Sequence, residues 1–355
     1  MKGDQRTDCV GSRQRPAVVI VTPALADANN GNWQTARRWA ALLRDGCDVR
    51  IARQWPDDAG PGSRAPQVML ALHAGRSAAS VAAWVARGSP DGLAVVLTGT
   101  DLYRDLHSPD RQVRELVQAS LHAARRIVVL QDHAPLELPP ALRAKTVVLF
   151  QSTTTRQHLP KATGRLRAVM VGHLRDEKDP LTLMRAARMI DPSEGIAIAH
   201  IGQALDAALG EQARATGVRC PHYRWCGGLP HETTRKRIQR AHLLVHTSRM
   251  EGGAHVIMEA VCSGTPVLAS RMAGNLGMLG ADYGGYFEVG DAAGLTDLLR
   301  RARTDADFLE DLTFQCDQRA PLFSPAREKA ALQALVEELV AERVGPRRTA
   351  SPARP

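Results

Sequence analysis

Aromatic residues are scarce in this 355-residue chain: five Phe, five Trp and four Tyr. That scarcity excludes the stacked-ring platform on which single-stranded nucleic acid is usually held. Long apolar runs are missing too. No segment approaches the ~20 apolar residues of a membrane-spanning helix. The run from Ala17 to Val21 is broken by Thr22 and Pro23 before it reaches the length of a secretory signal core. A cytoplasmic protein with no membrane partner is expected. There is no G-x-G-x-x-G, so dinucleotide binding is not supported. The six cysteines are scattered, and the two in CPHYRWC (220–226) lack zinc-knuckle spacing. Reduced thiols are expected, and no metal.

Acidic residues are in deficit, 37 against 46 basic ones, for a net charge of +9. The excess is concentrated at the ends. Residues 1–15 carry a net +2 and residues 344–355 a net +3. What remains is an ordinary charged surface with room for one basic cleft. No nucleic-acid partner is expected. Both end segments are polar and rich in Arg, Pro, Ser or Gly, and read as disordered tails.

What is present is length and alternation. A chain of 355 residues exceeds one ordinary core and fits two domains. Short β-branched runs alternate with helical patterns: AVVIV (17–21), helix 35–45, VRIA (49–52), VMLAL (68–72), helix 77–86, AVVLT (94–98), helix 111–124, IVVL (127–130) and TVVLF (146–150). Residues 151–165 have no apolar period and read as a linker. The alternation then restarts with RAVMVG (167–172), helix 180–190, IAIAHIG (196–202), helix 205–215 and a short strand VRC (218–220). It continues with helix 231–241, LLVHTS (243–248), helix 254–263, TPVLAS (265–270) and GYFEV (285–289). A last helix covers 326–344. Continuous apolar strands between helices predict parallel sheets covered on both faces. The expected architecture is α/β: a domain at 16–150, a linker at 151–165, a second domain at 166–325, and a closing helix at 326–343. Two doubly wound sheets would face a cleft at the C-terminal ends of their strands, where ligands bind.

The strand-to-helix loops should therefore carry the chemistry. After the first strand, Asn30, Gly31 and Asn32 form a polar loop at a helix start, which reads equally as an anion seat or as a plain cap and turn. His73 and Arg76 leave the third strand; an Arg there can hold phosphate bidentately, although a lone surface Arg is commoner. Thr98, Gly99, Thr100 and Asp101 leave the fourth strand, with Asp101 either a cap or a group at the reacting centre. VGHLRDEKDPLTL (171–183) sets His173, Arg175 and Lys178 beside a helix start, which suits a diphosphate. In SRMEGGAHVIMEAV (248–261), Gly252 and Gly253 let backbone approach a ligand closely. Glu251 and Glu259 flank that stretch as hydroxyl acceptors on either side of a diphosphate. The bland alternative makes Glu251 a first-turn residue and pairs Glu259 with His255 at i,i+4.

At these residues the chain resembles a known family. VGHLRDEK, then GLPHETTRKRIQRAHLLVHTSRMEGGAHVIMEAVCSGTPVLAS (228–270), is similar to the donor half of glycosyltransferase family 4, of the GT-B fold, with its E-x7-E motif at Glu251 and Glu259. The resemblance implies a UDP-sugar donor and no metal. It implies diphosphate contacts from Lys178, with His173 in place of the usual arginine and Arg175 as substitute. Glu251 would face the hexose and Glu259 the ribose, with Gly252, Gly253, Ala254 and His255 along the diphosphate and Asn275 as a further donor contact. The family's acceptor-side histidine is replaced at Thr100-Asp101. A narrower resemblance, carried by NNGNWQTARRWAALL (29–43), LHAGRSAAS (72–80), LTGTDLYRDL (97–106) and the two donor stretches, is to the selenosugar synthases of bacterial selenoneine biosynthesis. It implies transfer of glucose or N-acetylglucosamine to selenophosphate, with Glu251, Lys178 and Asp101 catalytic. The acceptor would lie among Asn30, Gly31, Asn32, His73, Arg76, Thr98, Gly99 and Thr100. Another family-4 transferase with a different small acceptor, or a UDP-sugar epimerase of the same fold, remains the alternative.

Overall fold

The computed structural model describes residues 14–23, 25, 31–58, 60, 62–88 and 90–344. Asn30 and both outer tail segments lie outside them.

The first half runs β1 (Ala17–Val21), α1 (Gly31–Leu43), β2 (Asp48–Ala52), β3 (Val68–Leu72), α2 (Ala78–Ala86), β4 (Leu93–Val96), α3 (Arg111–Ala123), β5 (Arg126–Val129), α4 (Pro140–Arg143) and β6 (Thr146–Val148). β1, β3 and β4 are buried at every residue, as strands without a polar alternation must be when helices cover both faces. All pairings are parallel, in the order β2-β1-β3-β4-β5-β6. The order reverses between β1 and β3.

The second half runs β7 (Leu166–Val171), α5 (Pro180–Met189), β8 (Ile196–Ile201), α6 (Ala207–Arg219), β9 (Tyr223–Trp225), α7 (His231–Arg240), β10 (Leu243–His246), α8 (His255–Val261), β11 (Val267–Ser270), α9 (Ala273–Leu279), β12 (Tyr286–Phe287), α10 (Ala292–Thr304) and α11 (Ala306–Arg319). Its parallel sheet has the order β12-β11-β10-β7-β8-β9. This is the doubly wound order with its switch point between β7 and β10. The closing helix α12 (Pro325–Val344) returns to the first sheet, where Leu332, Leu335, Val336 and Leu339 pack with Val18, Ile20 and Trp39.

Three local expectations are corrected. The strand expected at 218–220 is instead the last turn of α6 and the residue after it, and the edge strand is β9, five residues later. Tyr223 supplies the buried aromatic anchor that Val218, 86% exposed, could not. Helix α1 begins at Gly31 rather than residue 35, so Gly31 and Asn32 are its first turn and not a loop. The chain at 273–279 is helix α9, and α10 and α11 follow it; their apolar positions are spaced for a helix face that packs on the second core.

Candidate active site

The switch point of the second sheet brings two loops together: 172–179 after β7 and 247–254 after β10. Their meeting point is an ion pair between Lys178 Nζ and Glu251 Oε1. Each partner is braced. Thr247 Oγ1 donates to the Lys178 carbonyl (2.8 Å). Ser248 Oγ donates to Glu251 Oε1 (2.9 Å), and His246 Nε2 lies 3.7 Å from the same oxygen. Burial alone would raise the Glu251 pKa, but Lys178, His246 and the two hydrogen bonds outweigh it and hold the carboxyl below its usual range. Burial pushes His246 down to about 4, so its ring is neutral near pH 7. Asp179 takes a left-handed backbone (φ 41°) to cap α5 through Thr182, and Arg249 closes on it at 3.4 Å.

Glu251 precedes α8 and Glu259 lies within it, so the two acids project from different backbone environments. Glu259 is not paired with His255. Its Oε1 accepts from His231 Nε2 (2.6 Å), and Arg235 approaches it at 4.0 Å. That hydrogen bond raises the His231 pKa. The two glutamates share a property: each has Oε1 bound to the protein, whereas Oε2 meets no donor among the described residues.

His173 Nδ1 accepts the Gln203 N–H (3.1 Å), which fixes the ring proton on Nε2. Burial, then Arg175 and Lys178, lower its pKa, so it is a neutral donor and not the fixed cation of an arginine. Arg175 is drawn toward Glu177 (3.8 Å) and is exposed. Asn275 is fully buried: its amide donates to Ser270 O and Oγ (2.8 and 3.1 Å), and Oδ1 has no partner. It braces the loop beneath Glu251 instead of presenting an open contact to a donor. Ala254 is the N-cap residue of α8, and His255 Nε2 is buried without a partner.

On the first domain, Asp101 does not present a free carboxylate. It is wholly buried, with Oδ1 accepting from the Thr98 and Gly99 N–H groups and Oδ2 from Ala74 N, each at 2.9 Å. It ties the β3 and β4 exits together and acts as a positioning residue. His73 sits at the β3 exit with φ 70°, a backbone that costs a residue with a side chain about 1–3 kcal/mol. It is buried, and Nε2 meets Thr100 Oγ1 at 3.1 Å. A histidine thus reaches the Thr100-Asp101 turn from the neighbouring strand. Burial lowers its pKa. Arg76 is exposed and its guanidinium has no partner among the described residues.

The two domains touch at these exits. A Cβ on Gly99 would lie 2.9 Å from Gly252 N, and one on Gly252 would strike the Thr98 carbonyl. Gly253 faces Leu130, at the end of β5. Arg104 reaches Glu177 across the cleft at 3.4 Å. Five residues of the site, His231, His246, Ser248, Arg235 and Arg104, were not singled out in the sequence. A histidine at the start of HETTRKRIQRA was the one available signal, since only the fold reveals that it meets Glu259.

Residues 151–316 match the family described as Glycosyl transferases group 1. Solved structures similar to this chain include the sucrose-phosphate synthase of Thermosynechococcus elongatus (TM-score 0.72, 17% identity, covering 93% of this chain and 100% of that one). Another is HepE of Anabaena in complex with UDP and glucose (0.70, 14%, covering 92% and 100%). A third is a point mutant of S. aureus TarM with fondaparinux, alpha-GlcNAc-glycerol and UDP (0.59, 11%, covering 76% of this chain). The chain spans 55% of the TarM length. The two parallel sheets, their switch points and the returning helix form a GT-B fold, and residues 151–316 within it resemble the group 1 glycosyltransferases.

Proposed function

We propose that the protein is a metal-independent glycosyltransferase that moves glucose or N-acetylglucosamine from a UDP-sugar to selenophosphate. The observation that carries the donor assignment is the paired glutamates: two carboxylates on either side of the Gly252-Gly253 stretch, each held by one oxygen and without a donor at the other, with Lys178 on the first. Glu251 Oε2 would accept from the hexose hydroxyls and Glu259 Oε2 from the ribose. Lys178, the His173 Nε2–H and Arg175 would stabilise charge on the departing diphosphate, a preorganised electrostatic role that needs no metal. HepE, a similar fold, is known in complex with UDP and glucose.

The acceptor assignment rests on Arg76, a free guanidinium beside His73 and the β4 exit. It would hold the phosphoryl group while selenium attacks the anomeric carbon. The C–Se bond forms as the C–O bond to UDP breaks. Water then cleaves the Se–P bond, releasing phosphate and the selenosugar. Selenium is already an anionic nucleophile, which fits a site where the buried Asp101 serves as brace.

The test offers UDP-glucose and UDP-N-acetylglucosamine with selenophosphate, thiophosphate or phosphate and identifies products by mass spectrometry. A selenosugar with stoichiometric UDP supports the assignment. Product formation with phosphate but none with selenophosphate overturns it. Arg76→Ala should weaken selenophosphate use and leave UDP-sugar binding nearly intact; equal loss of both would remove Arg76 from the acceptor site.

A further inference from the structure

A second basic site lies on the far side of the donor domain. A cavity of about 750 Å³ is lined by Arg165, Arg167, Arg224, Arg237 and Arg240. It sits toward the N-terminal ends of β7 and β8, the opposite end of the parallel sheet from the loops bearing Lys178 and Glu251. The strand sequence creates the hollow. In IAIAHI, Ile196 and Ile198 turn to the buried face and the small Ala197 and Ala199 to the other. Arg167 is in register with Ala197, and Arg224 with Ala199. Two guanidinium stems therefore flank an alanine floor, and the last turn of α7 adds Arg237 and Arg240 along one wall.

No carboxylate lines this cavity. None of the five guanidinium groups makes a hydrogen bond or ion pair among the described residues. Several arginines elsewhere on the surface do have carboxylate partners: Arg50 with Asp57, Arg156 with Glu232, Arg249 with Asp179, Arg300 with Glu194 and Arg319 with Asp132. Five unmatched cations around one concavity repel one another, and an anion placed among them removes that repulsion. Guanidinium forks match phosphate oxygens in bidentate geometry. The volume is in the range of small-molecule sites, roughly 300–1,000 Å³, and the floor of Val169, Ala197 and Ala199 is apolar.

We propose that this cavity is a binding site for a phosphate-bearing anion carrying several charges, separate from the transfer cleft. The same chemistry is offered by a soluble polyphosphate ester and by an anionic lipid headgroup.

The experiment uses the full-length protein with Lys178→Ala, so that the cleft competes less for phosphate. Inorganic triphosphate is titrated calorimetrically, and sedimentation with phosphatidylglycerol vesicles and retention of an oligonucleotide are measured in parallel. Each is repeated after Arg224→Glu and Arg240→Glu together, with folding checked by thermal melt and donor turnover of the double variant measured in the wild-type background. Binding of triphosphate that the double variant weakens by more than about tenfold, with turnover kept, supports a soluble ligand. The same loss for vesicles without triphosphate binding supports a headgroup. Absence of binding by triphosphate and vesicles, equal binding by both proteins, or retention of the oligonucleotide alone overturns the proposal.

Discussion

Lys178 and Glu251 meet across the switch point of the second sheet, so the proposed diphosphate cation and the proposed hexose acceptor neutralise each other. Glu251→Gln keeps the shape and removes the charge. It frees Lys178 for phosphate, so UDP affinity should hold or rise. Turnover should fall by roughly 100-fold, the loss of one charge-assisted hydrogen bond in the transition state. Weaker UDP binding with unchanged turnover would contradict the division of roles. The pair also sets an acid limit. Because the folded pKa of Glu251 is depressed, its stabilisation is present above the unfolded value and is lost as pH falls through the folded one. Urea melts between roughly pH 5 and 2 should therefore flatten in the glutamine variant.

His231 and Glu259 make the complementary prediction. The folded His231 pKa is raised by its hydrogen bond to Glu259. The stabilisation of that pair is fully present below the unfolded pKa of roughly 6.5 and is lost as pH rises through the folded value. A ribose hydroxyl donating to Oε2 would draw charge from Oε1, so the His231 pKa drops and a proton leaves. Calorimetric titration with UDP near neutral pH, in buffers of different ionisation enthalpy, should show net proton release. His231→Ala should abolish it. A buffer-independent enthalpy in the wild type would show that Glu259 keeps its histidine when nucleotide binds.

The crossing helix depends on one buried carboxylate. Glu328 is 1% exposed and accepts from Arg38 Nε, Trp39 Nε1 (2.7 Å) and the N–H of Ser152 (2.9 Å). It joins α1 of the first domain to the linker and α12, the two segments that run between the domains. The Ser152 hydroxyl donates to it as well, so Glu328→Ala strands four donors and should destabilise the protein by roughly 3–5 kcal/mol, as removal of one member of a buried pair does. Glu328→Gln keeps one acceptor oxygen and should cost less. Chemical denaturation separates them; equal losses would mean that the charge matters more than the acceptor count.

The two sheets were legible because continuous apolar strands such as AVVIV and VMLAL have no other stable home. The residues proposed for the donor could be picked out because they sit within short segments whose spacing survives folding: Lys178 beside α5, and Glu251 and Glu259 around α8. What remained hidden depends on contacts between distant segments. His231 meets Glu259 over 28 residues, and His73 meets Thr100 over 27. Asp101 shows the same limit. Its position at a strand exit suits catalysis, and only the Ala74 N–H, brought in from β3, reveals that its second oxygen is taken. The VRC strand failed for a local reason, since β-branching at Val218 does not outweigh a helix that continues to Arg219.

The seam between domains supplies the last prediction. Gly252 lies against the Thr98 carbonyl and the Gly99 nitrogen, leaving no room for a methyl group. Because those neighbours are backbone, they cannot rotate aside as a side chain would. Gly252→Ala should hold the β4 exit away from the loop bearing Glu251, while Lys178 and Glu259 lie outside the contact and keep their nucleotide. The expected result is a turnover loss exceeding about tenfold, since small misplacements of reacting groups are costly, with a smaller loss of UDP affinity. Solution scattering should record a larger radius of gyration for the variant. Gly31→Ala, where no atom lies within 4 Å of the added carbon, is the matched control for steric effects and should leave the radius alone. An unchanged radius in Gly252→Ala together with normal turnover would mean that the domains work without closing on this seam.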